Sequence, residues 1–284
     1  MNSIDIICPL FNAEKYIKNL ISNLRQQECN YEYNLHFILT ESSDNTEQIL
    51  NAENCSFFKI SKQEFSHSLV RENAARCSKA DIIVFITQDV QISNNHWLIN
   101  LVNPIVSNEV SATYSKQISK FNNIEKYIRK FNYPDCSLIK SKDSIEKLGL
   151  YTFFFSDASS AIRRSVFAQL NFYDQRDLTL SEDMYIAYKL IMNNYKIKYC
   201  ADSVVYHSHN YTLKQLYNRY KLTGIFFKEN SYLNKFSKHS AGKKLAWYIF
   251  KNALYDWNFK VMLRFFPDMF TRYIGLYVGK HFLM

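Results

Sequence analysis

Three short strings in this 284-residue chain carry side chains that could hold a cation and move a proton. They are Thr87-Gln88-Asp89, Ser181-Glu182-Asp183 and His207-Ser208-His209. A hard divalent cation wants oxygen ligands, and Mg2+ typically takes one or two carboxylates plus substrate phosphates. Asp89 follows the unbroken apolar run Ile82-Ile83-Val84-Phe85-Ile86. Such a run reads as a strand buried on both faces, as in parallel sheets, where ligands sit just past the carboxyl ends of the strands. A carboxylate there could meet a bound phosphate through a cation; a solvated loop aspartate is the plainer alternative.

Glu182-Asp183 opens an amphipathic helical segment running to Met192, with Ser181 as the expected N-cap. The helix dipole alone favours acids at that place. The chemical reading is a general base, for which Asp183 is the candidate, since a base must be a carboxylate or histidine that reaches the acceptor hydroxyl. On a strand, His207 and His209 face the same side. They fit two half-buried imidazoles, a zinc site with Cys200, or a mixed site of Asp89, one histidine and diphosphate oxygens. The mixed site suits Mg2+ or Mn2+.

The elements that must position these strings alternate. Ile4–Cys8, Leu35–Leu39, Phe57–Ile60 and the run ending at Thr87 read as strands. Between and after them, Ala13–Gln27, a short helix through Leu50 entered by the capping side chains of Ser42-Ser43-Asp44, Ser68–Ser78 and Asn95–Val106 read as helices. The alternation predicts an α/β fold with a mostly parallel, doubly wound sheet flanked by helices. After Val110 the pattern loosens. A short helix over Arg164–Leu170 and strands over Lys196–Cys200 and Val204–His207 are still legible, and three helices are predicted over about 212–236, 241–262 and 267–282. The division expected is 1–210 as catalytic domain (about 1–115 for nucleotide, 116–210 for acceptor) and 211–284 as a helical appendage.

Apolar residues make up 47% of the chain, which argues against global disorder. Six cysteines without a Cys-x-x-Cys pair read as reduced thiols of a cytosolic protein. The opening residues lack the basic region and apolar core of a signal peptide, and no run reaches the roughly 18 apolar residues of a spanning helix. The net charge of +9 is concentrated at one end: residues 214–284 hold 13 Lys/Arg against three acids. Basic and aromatic residues interleave there, as in Lys243, Lys244, Trp247, Lys251, Trp257, Lys260 and Phe266. That mixture suits a membrane interface, a packed helical subdomain with a basic face being the alternative. No nucleic-acid-binding motif accompanies the charge, so nucleic acid is not expected as a partner.

Taken together the strings resemble the inverting family 2 glycosyltransferases of GT-A fold. Pro9-Leu10-Phe11-Asn12 resembles that family's loop after the first strand, Thr87-Gln88-Asp89 its metal-binding acidic motif, and Glu182-Asp183 its base-bearing pair. Five further strings resemble the bacterial rhamnosyltransferases of that family: Phe65-Ser66-His67 with Arg71; Phe85 to Asp89; Phe131-Asn132-Tyr133-Pro134; Ser160 to Ser165; and Val205-Tyr206-His207-Ser208-His209-Asn210-Tyr211-Thr212. The resemblance implies that Asp89 and His207 ligate the cation, Mg2+ or Mn2+, and that Asp183 deprotonates the acceptor. It places His209 and Lys214 near the diphosphate, and Pro9, Phe11, Glu41 and Asp44 along the nucleotide. Gln88 and Glu182 join the substrate-binding set, and Arg71 is placed near the nucleotide or diphosphate. It further implies a nucleotide-sugar donor, dTDP-rhamnose, and a lipid-linked glycan acceptor. The expected location is cytoplasmic and peripheral on the inner face of the membrane, with a homodimer compatible. Three positions depart from the family pattern: Leu39 stands where it has Asp, Arg71-Glu72-Asn73 replaces its Arg-Asn pair, and Gln88 interrupts the acidic motif.

Overall fold

The computed structural model describes residues 2–237 and 240–282. The extreme ends of the expected 1–210 and 211–284 regions, and residues 238 and 239, lie outside the described residues. Two compact units emerge: residues 1–116, 135–143 and 152–207 form one, and 117–134, 144–151 and 208–284 the other. A single cut near 210 therefore misses two segments that group with the C-terminal helices.

The first half of the chain gives β1 (Ser3–Leu10), α1 (Glu14–Arg25), β2 (Glu32–Thr40), α2 (Thr46–Ala52) and β3 (Phe57–Ile60). It continues with α3 (His67–Cys77), β4 (Ile82–Ile86), β5 (Gln91–Ile92), α4 (Trp97–Val106) and β6 (Ala112–Ile118). The second half gives α5 (Ile124–Asn132), β7 (Leu138–Lys140), α6 (Ser144–Leu148), β8 (Ser159–Arg163), α7 (Arg164–Gln169), α8 (Glu182–Met192) and β9 (Ile197–Tyr206). The chain ends on α9 (Leu213–Glu229), α10 (Ser240–Tyr255) and α11 (Phe259–His281).

The sheet runs β3-β2-β1-β4-β8-β6-β9-β5, with β7 beside β9. β1 pairs in parallel with β2 and β4, and β2 with β3. The carboxyl ends of β1, β2 and β4 therefore share one edge, where Phe11, Asp44 and Asp89 follow. β4 is buried at every residue, as its apolar run predicts. Ile17, Leu20, Ile21 and Leu24 of α1 are buried at helical spacing in the same core. Each such side chain contributes about 1.5–3 kcal/mol on burial.

The far half of the sheet is antiparallel: β8 runs against β4 and β6, and β9 against β5 and β7. β9 is one ten-residue strand where two short ones were expected. The exposed Asp202 and buried Ser203 break its apolar pattern, yet Ser203 is paired. The Trp97 indole N–H donates to Ser115 and Ser159 at 3.1 and 3.0 Å, and Ser115 meets Ser203 at 2.8 Å. A fully satisfied hydroxyl network can sit in a core without the usual penalty for a buried polar group.

In the second unit, Ile124, Tyr127 and Ile128 of α5 pack with Ile249 and Ala253 of α10 and Val261 and Phe265 of α11. The helix break falls at 256–258 instead of before Pro267. Trp257 takes a left-handed φ of 51°, the Asn258 side chain caps Val261, and Pro267 lies inside α11. The expected helix 212–236 stops at Glu229 and gives way to a 3-10 segment over Ser231–Phe236.

Three of the five glycines of the chain, Gly224, Gly275 and Gly279, stand where α9 crosses α11. A Cβ on Gly275 would lie 2.7 Å from the Tyr217 carbonyl oxygen, and one on Gly279 would strike the Lys221 carbonyl. Backbone cannot swing aside as a side chain can. Gly279→Ala is expected to cost about 1–3 kcal/mol through overpacking, despite alanine's better helix propensity. Gly242→Ala in α10 meets nothing within 4 Å among the described residues and is expected to be neutral or stabilising by up to about 1 kcal/mol. Chemical-denaturation midpoints of the two variants should move in opposite senses; a stable Gly279→Ala would refute the close crossing.

Candidate active site

Asp89 and His207 meet because of a two-residue strand. β5 pairs with β9 antiparallel, Gln91 opposite Tyr206 and Ile92 opposite Val205. That register draws the residues just before Gln91 alongside those just after Tyr206. Asp89 Oδ2 stands 3.4 Å from His207 Nε2, the two side chains being 26% and 9% exposed. Adjacent ligands on an octahedral cation at ~2.1 Å lie about 3 Å apart, so a shift of a few tenths of an ångström would let both bind one ion. A carboxylate beside an imidazole fits Mg2+ or Mn2+ with phosphate oxygens completing the shell. His209 follows two residues on, in the second unit, with its ring tilted against Tyr211 at 4.9 Å. Lys214 is exposed in the first turn of α9, whose N-cap Thr212 and Gln215 cap each other reciprocally.

Gln88 and Asp44 hold the loop around Phe11. Both ends of the Gln88 amide are engaged by Phe11: its Oε1 accepts from the Phe11 N–H at 2.7 Å and its Nε2 donates to the Phe11 carbonyl at 2.9 Å. Asp44 accepts from the Glu14 N–H at 3.0 Å at the start of α1 and from Thr46. Burial opposes ionisation of Asp44, but these hydrogen bonds outweigh it and hold its carboxyl below the usual value. Asn12, at φ 47°, accepts from the Ser43 N–H. Gln88 and Asp44 therefore shape the loop at the sheet edge, largely through backbone contacts. Phe11 is left 42% exposed with the Lys62 ammonium 5.7 Å from its ring, Glu41 is exposed and Pro9 half-buried.

Asp183 is the half-buried second residue of α8, and its Oδ1 accepts from the Met184 N–H at 2.7 Å. Ser181 does not cap this helix: it sits in the left-handed region at φ 65° and its side chain makes no capping bond. The helix start is fixed instead by Glu182, which pairs with Arg71 at 3.2 Å. Arg71 is 2% exposed, donates to the His67 carbonyl and lies over the Phe85 ring. It forms a buried post behind the α8 N-terminus. Burial works against its charge, but Glu182 and Asp157 outweigh burial and raise its pKa, with Asp183 contributing. Arg71 and Asp89 both act on the buried Cys8 thiol at the end of β1, which burial pushes up.

Three residues of this scaffold went unread in the sequence. Asp157 is fully buried, accepts from Tyr173 and Ser160 at 2.7 Å each, and is raised by burial, with Arg71 opposing. Glu72 is wholly buried and accepts from the Tyr173 and Gln175 N–H groups at 3.1 and 3.0 Å. Ser68 accepts from the Leu178 N–H and donates to the Arg176 carbonyl. One face of α3, positions 68, 71 and 72, therefore grips the loop leading to Asp183. The signal was present in Arg71-Glu72, two adjacent charges in a helix where both positions are buried.

The family model of Glycosyl transferase family 2 matches residues 5–170, more than half of the chain. The chain belongs to that family. The O-antigen chain rhamnosyltransferase RfbN of Salmonella typhimurium is 33% identical to this glycosyltransferase over 98% of its length and 90% of the relative's. WbaN of Salmonella anatum, also an O-antigen chain rhamnosyltransferase, is 32% identical over 99% and 90%. Among solved structures, the mannosyltransferase PcManGT of Pyrobaculum calidifontis, in complex with GDP-Man and Mn2+, superposes with a TM-score of 0.64 at 14% identity, covering 98% of this chain and 87% of that one. TarS 1-349 of S. aureus in complex with UDP-GlcNAc superposes at 0.58 and 15% identity, covering 100% and 93%. These likenesses establish the GT-A fold of this glycosyltransferase. No helix among its described residues is long and apolar enough to cross a membrane.

Proposed function

We propose that this glycosyltransferase moves L-rhamnose from dTDP-rhamnose, with inversion, onto a hydroxyl of a lipid-linked precursor of a cell-surface glycan. The observation that carries the catalytic reading is the Asp89–His207 pair at the sheet edge. The choice of rhamnose is supported by the relatives' near full-length similarity. The acceptor class and a cytoplasmic site of action at the inner membrane face belong to the same proposal.

In this reading Asp183 takes the proton of the acceptor hydroxyl as its oxygen attacks the anomeric carbon. The bond from that carbon to the diphosphate oxygen breaks on the opposite face, and the nucleoside diphosphate leaves. Asp89 and His207 would hold a divalent cation, which when bound supplies Lewis-acid stabilisation of the diphosphate charge. The exposed Phe11 ring offers a face for the pyrimidine and Glu41 an acceptor for its N–H. Arg71, held on Glu182, keeps the helix that bears the base in register.

Thermal shift with Mn2+ and each of dTDP-rhamnose, UDP- and GDP-sugars tests the donor. A ligand at a hundred times its Kd stabilises the native state by about 2.7 kcal/mol. The largest shift is expected for dTDP-rhamnose. A larger shift with a UDP- or GDP-sugar would reassign the donor, and no shift with any nucleotide sugar would refute the catalytic reading.

A further inference from the structure

We infer that the outward face of α10 and α11 is a membrane-insertion surface that lies in the headgroup–acyl boundary of an anionic bilayer. This names the surface and the partner behind the membrane residence proposed above and rests on that part of the reading. It does not depend on the donor or the base.

Phe259, Leu263, Phe266, Phe270, Tyr273 and Tyr277 recur at steps of four and three along α11, which places them on one helical face. They are 60, 81, 69, 67, 62 and 44% exposed. At about 150–250 Å² for each large side chain, these exposures leave roughly 570–960 Å² uncovered, at or above the roughly 300–600 Å² of the largest apolar patch on a typical soluble monomer. The fold does not need this face. α11 spends its opposite side on Val261 and Phe265 against α5 and α10, and on Gly275 and Gly279 against α9. The turn and the neighbouring helix add Trp257 and Trp247, 75% and 66% exposed. Tryptophan and tyrosine favour the membrane–water boundary, where an apolar ring and a polar tip are both satisfied.

Charge selects the occupant. Lys243, Lys244, Lys251 and Lys260 are the exposed ions of the two helices. Neither helix carries an exposed acid: Asp268 of α11 is buried and paired with Arg272. Asp256, in the turn between them, is engaged by Lys126 at 3.0 Å and Tyr127 at 3.1 Å. The four-and-three spacing would also suit a helix–helix seam with a second copy, but such seams are flanked by charges of both signs. Here like charges would face each other across the two-fold. An exposed aromatic stripe on helices whose exposed ions are all lysine matches anionic lipid, in which amphipathic helices lie flat with their apolar face ~5–10 Å deep. At 23 residues α11 would lie along the surface for about 34 Å.

Flotation of the full chain with vesicles of neutral phosphatidylcholine, or of the same lipid with roughly 30% phosphatidylglycerol, tests the inference. The wild type is expected to float with the anionic vesicles, less so with the neutral ones, and less again at high salt. Phe266→Asp/Phe270→Asp should lower recovery at least about tenfold. The same variant should keep the wild-type circular dichroism and nucleotide-sugar thermal shift, which separates lost insertion from lost folding. Lys243→Glu/Lys244→Glu should remove the preference for anionic vesicles while leaving residual binding. Equal recovery of wild type with and without vesicles would overturn the inference. So would a vesicle-indifferent dimer, seen by light scattering, that Phe266→Asp/Phe270→Asp converts to monomer. Flotation without any nucleotide-sugar response would leave the membrane surface standing and sink the sugar-transfer reading alone.

Discussion

Asp183→Asn is expected to retain the donor-induced thermal shift and to lower the rate of sugar transfer by at least about 100-fold. General-base catalysis is typically worth 10²–10⁴-fold, about 3–5 kcal/mol of barrier. The adjacent carboxylate cannot take over. Glu182 is buried and held on Arg71 at 3.2 Å, and freeing it would leave an arginine that is 2% exposed without its counter-ion. Breaking a buried pair in that way costs about 3–5 kcal/mol. Turnover measured at saturating donor, with binding followed separately, distinguishes loss of the base from loss of the pocket. A purified Asp183→Asn enzyme that transfers sugar near the wild-type rate would refute the assignment.

Removing the cation should have an effect of similar size. Excess EDTA is expected to abolish transfer, and Mg2+ or Mn2+ to restore it. Asp89→Ala should lose on the order of 100-fold or more even in saturating metal, because Lewis-acid stabilisation of the leaving diphosphate is worth several kcal/mol. The same variant should lose the stabilisation that Mn2+ gives the wild type in the absence of donor, which reads binding without turnover. His207→Ala should lose it as well, since its Nε2 stands 3.4 Å from the Asp89 carboxylate. Full activity in excess EDTA would take the cation out of the mechanism.

The parallel half of the fold was legible because its residues obey one rule each. β4 is five apolar residues buried on both faces, and α1 repeats apolar residues at helical spacing. The antiparallel half was hidden by its own chemistry. Thr113, Ser115, Ser159, Ser160 and Ser203 are all wholly buried in β6, β8 and β9, where polarity in a strand normally signals solvent. The partners of Ser115, Ser159 and Ser203, Trp97 foremost, lie far away in sequence. In the tail, Pro267 marks an end by its lack of an N–H, yet α11 runs through it, and the break at Trp257 depends on a backbone angle that no residue type there announces. The site divides the same way. The residue types of Asp89, Asp183 and His207 suggested the chemistry; the meeting of Asp89 with His207 depends on β5, two residues long, and the start of α8 on an ion pair between residues 111 positions apart.

The grip of α3 on the loop before α8 bears on how substrates are chosen. That loop is tied by two backbone hydrogen bonds to the buried Glu72, by Ser68, and by the buried Arg71–Glu182 pair. To swing it outward would strand a carboxylate in the interior, at a cost of about 1–3 kcal/mol for each polar group left unmet. The segment that carries the proposed base is thus in place before any sugar arrives and does not serve as a closing flap. Under the proposed reading, discrimination among incoming alcohols falls to a loop that α3 has already fixed, and any closing motion belongs to segments that α3 does not hold.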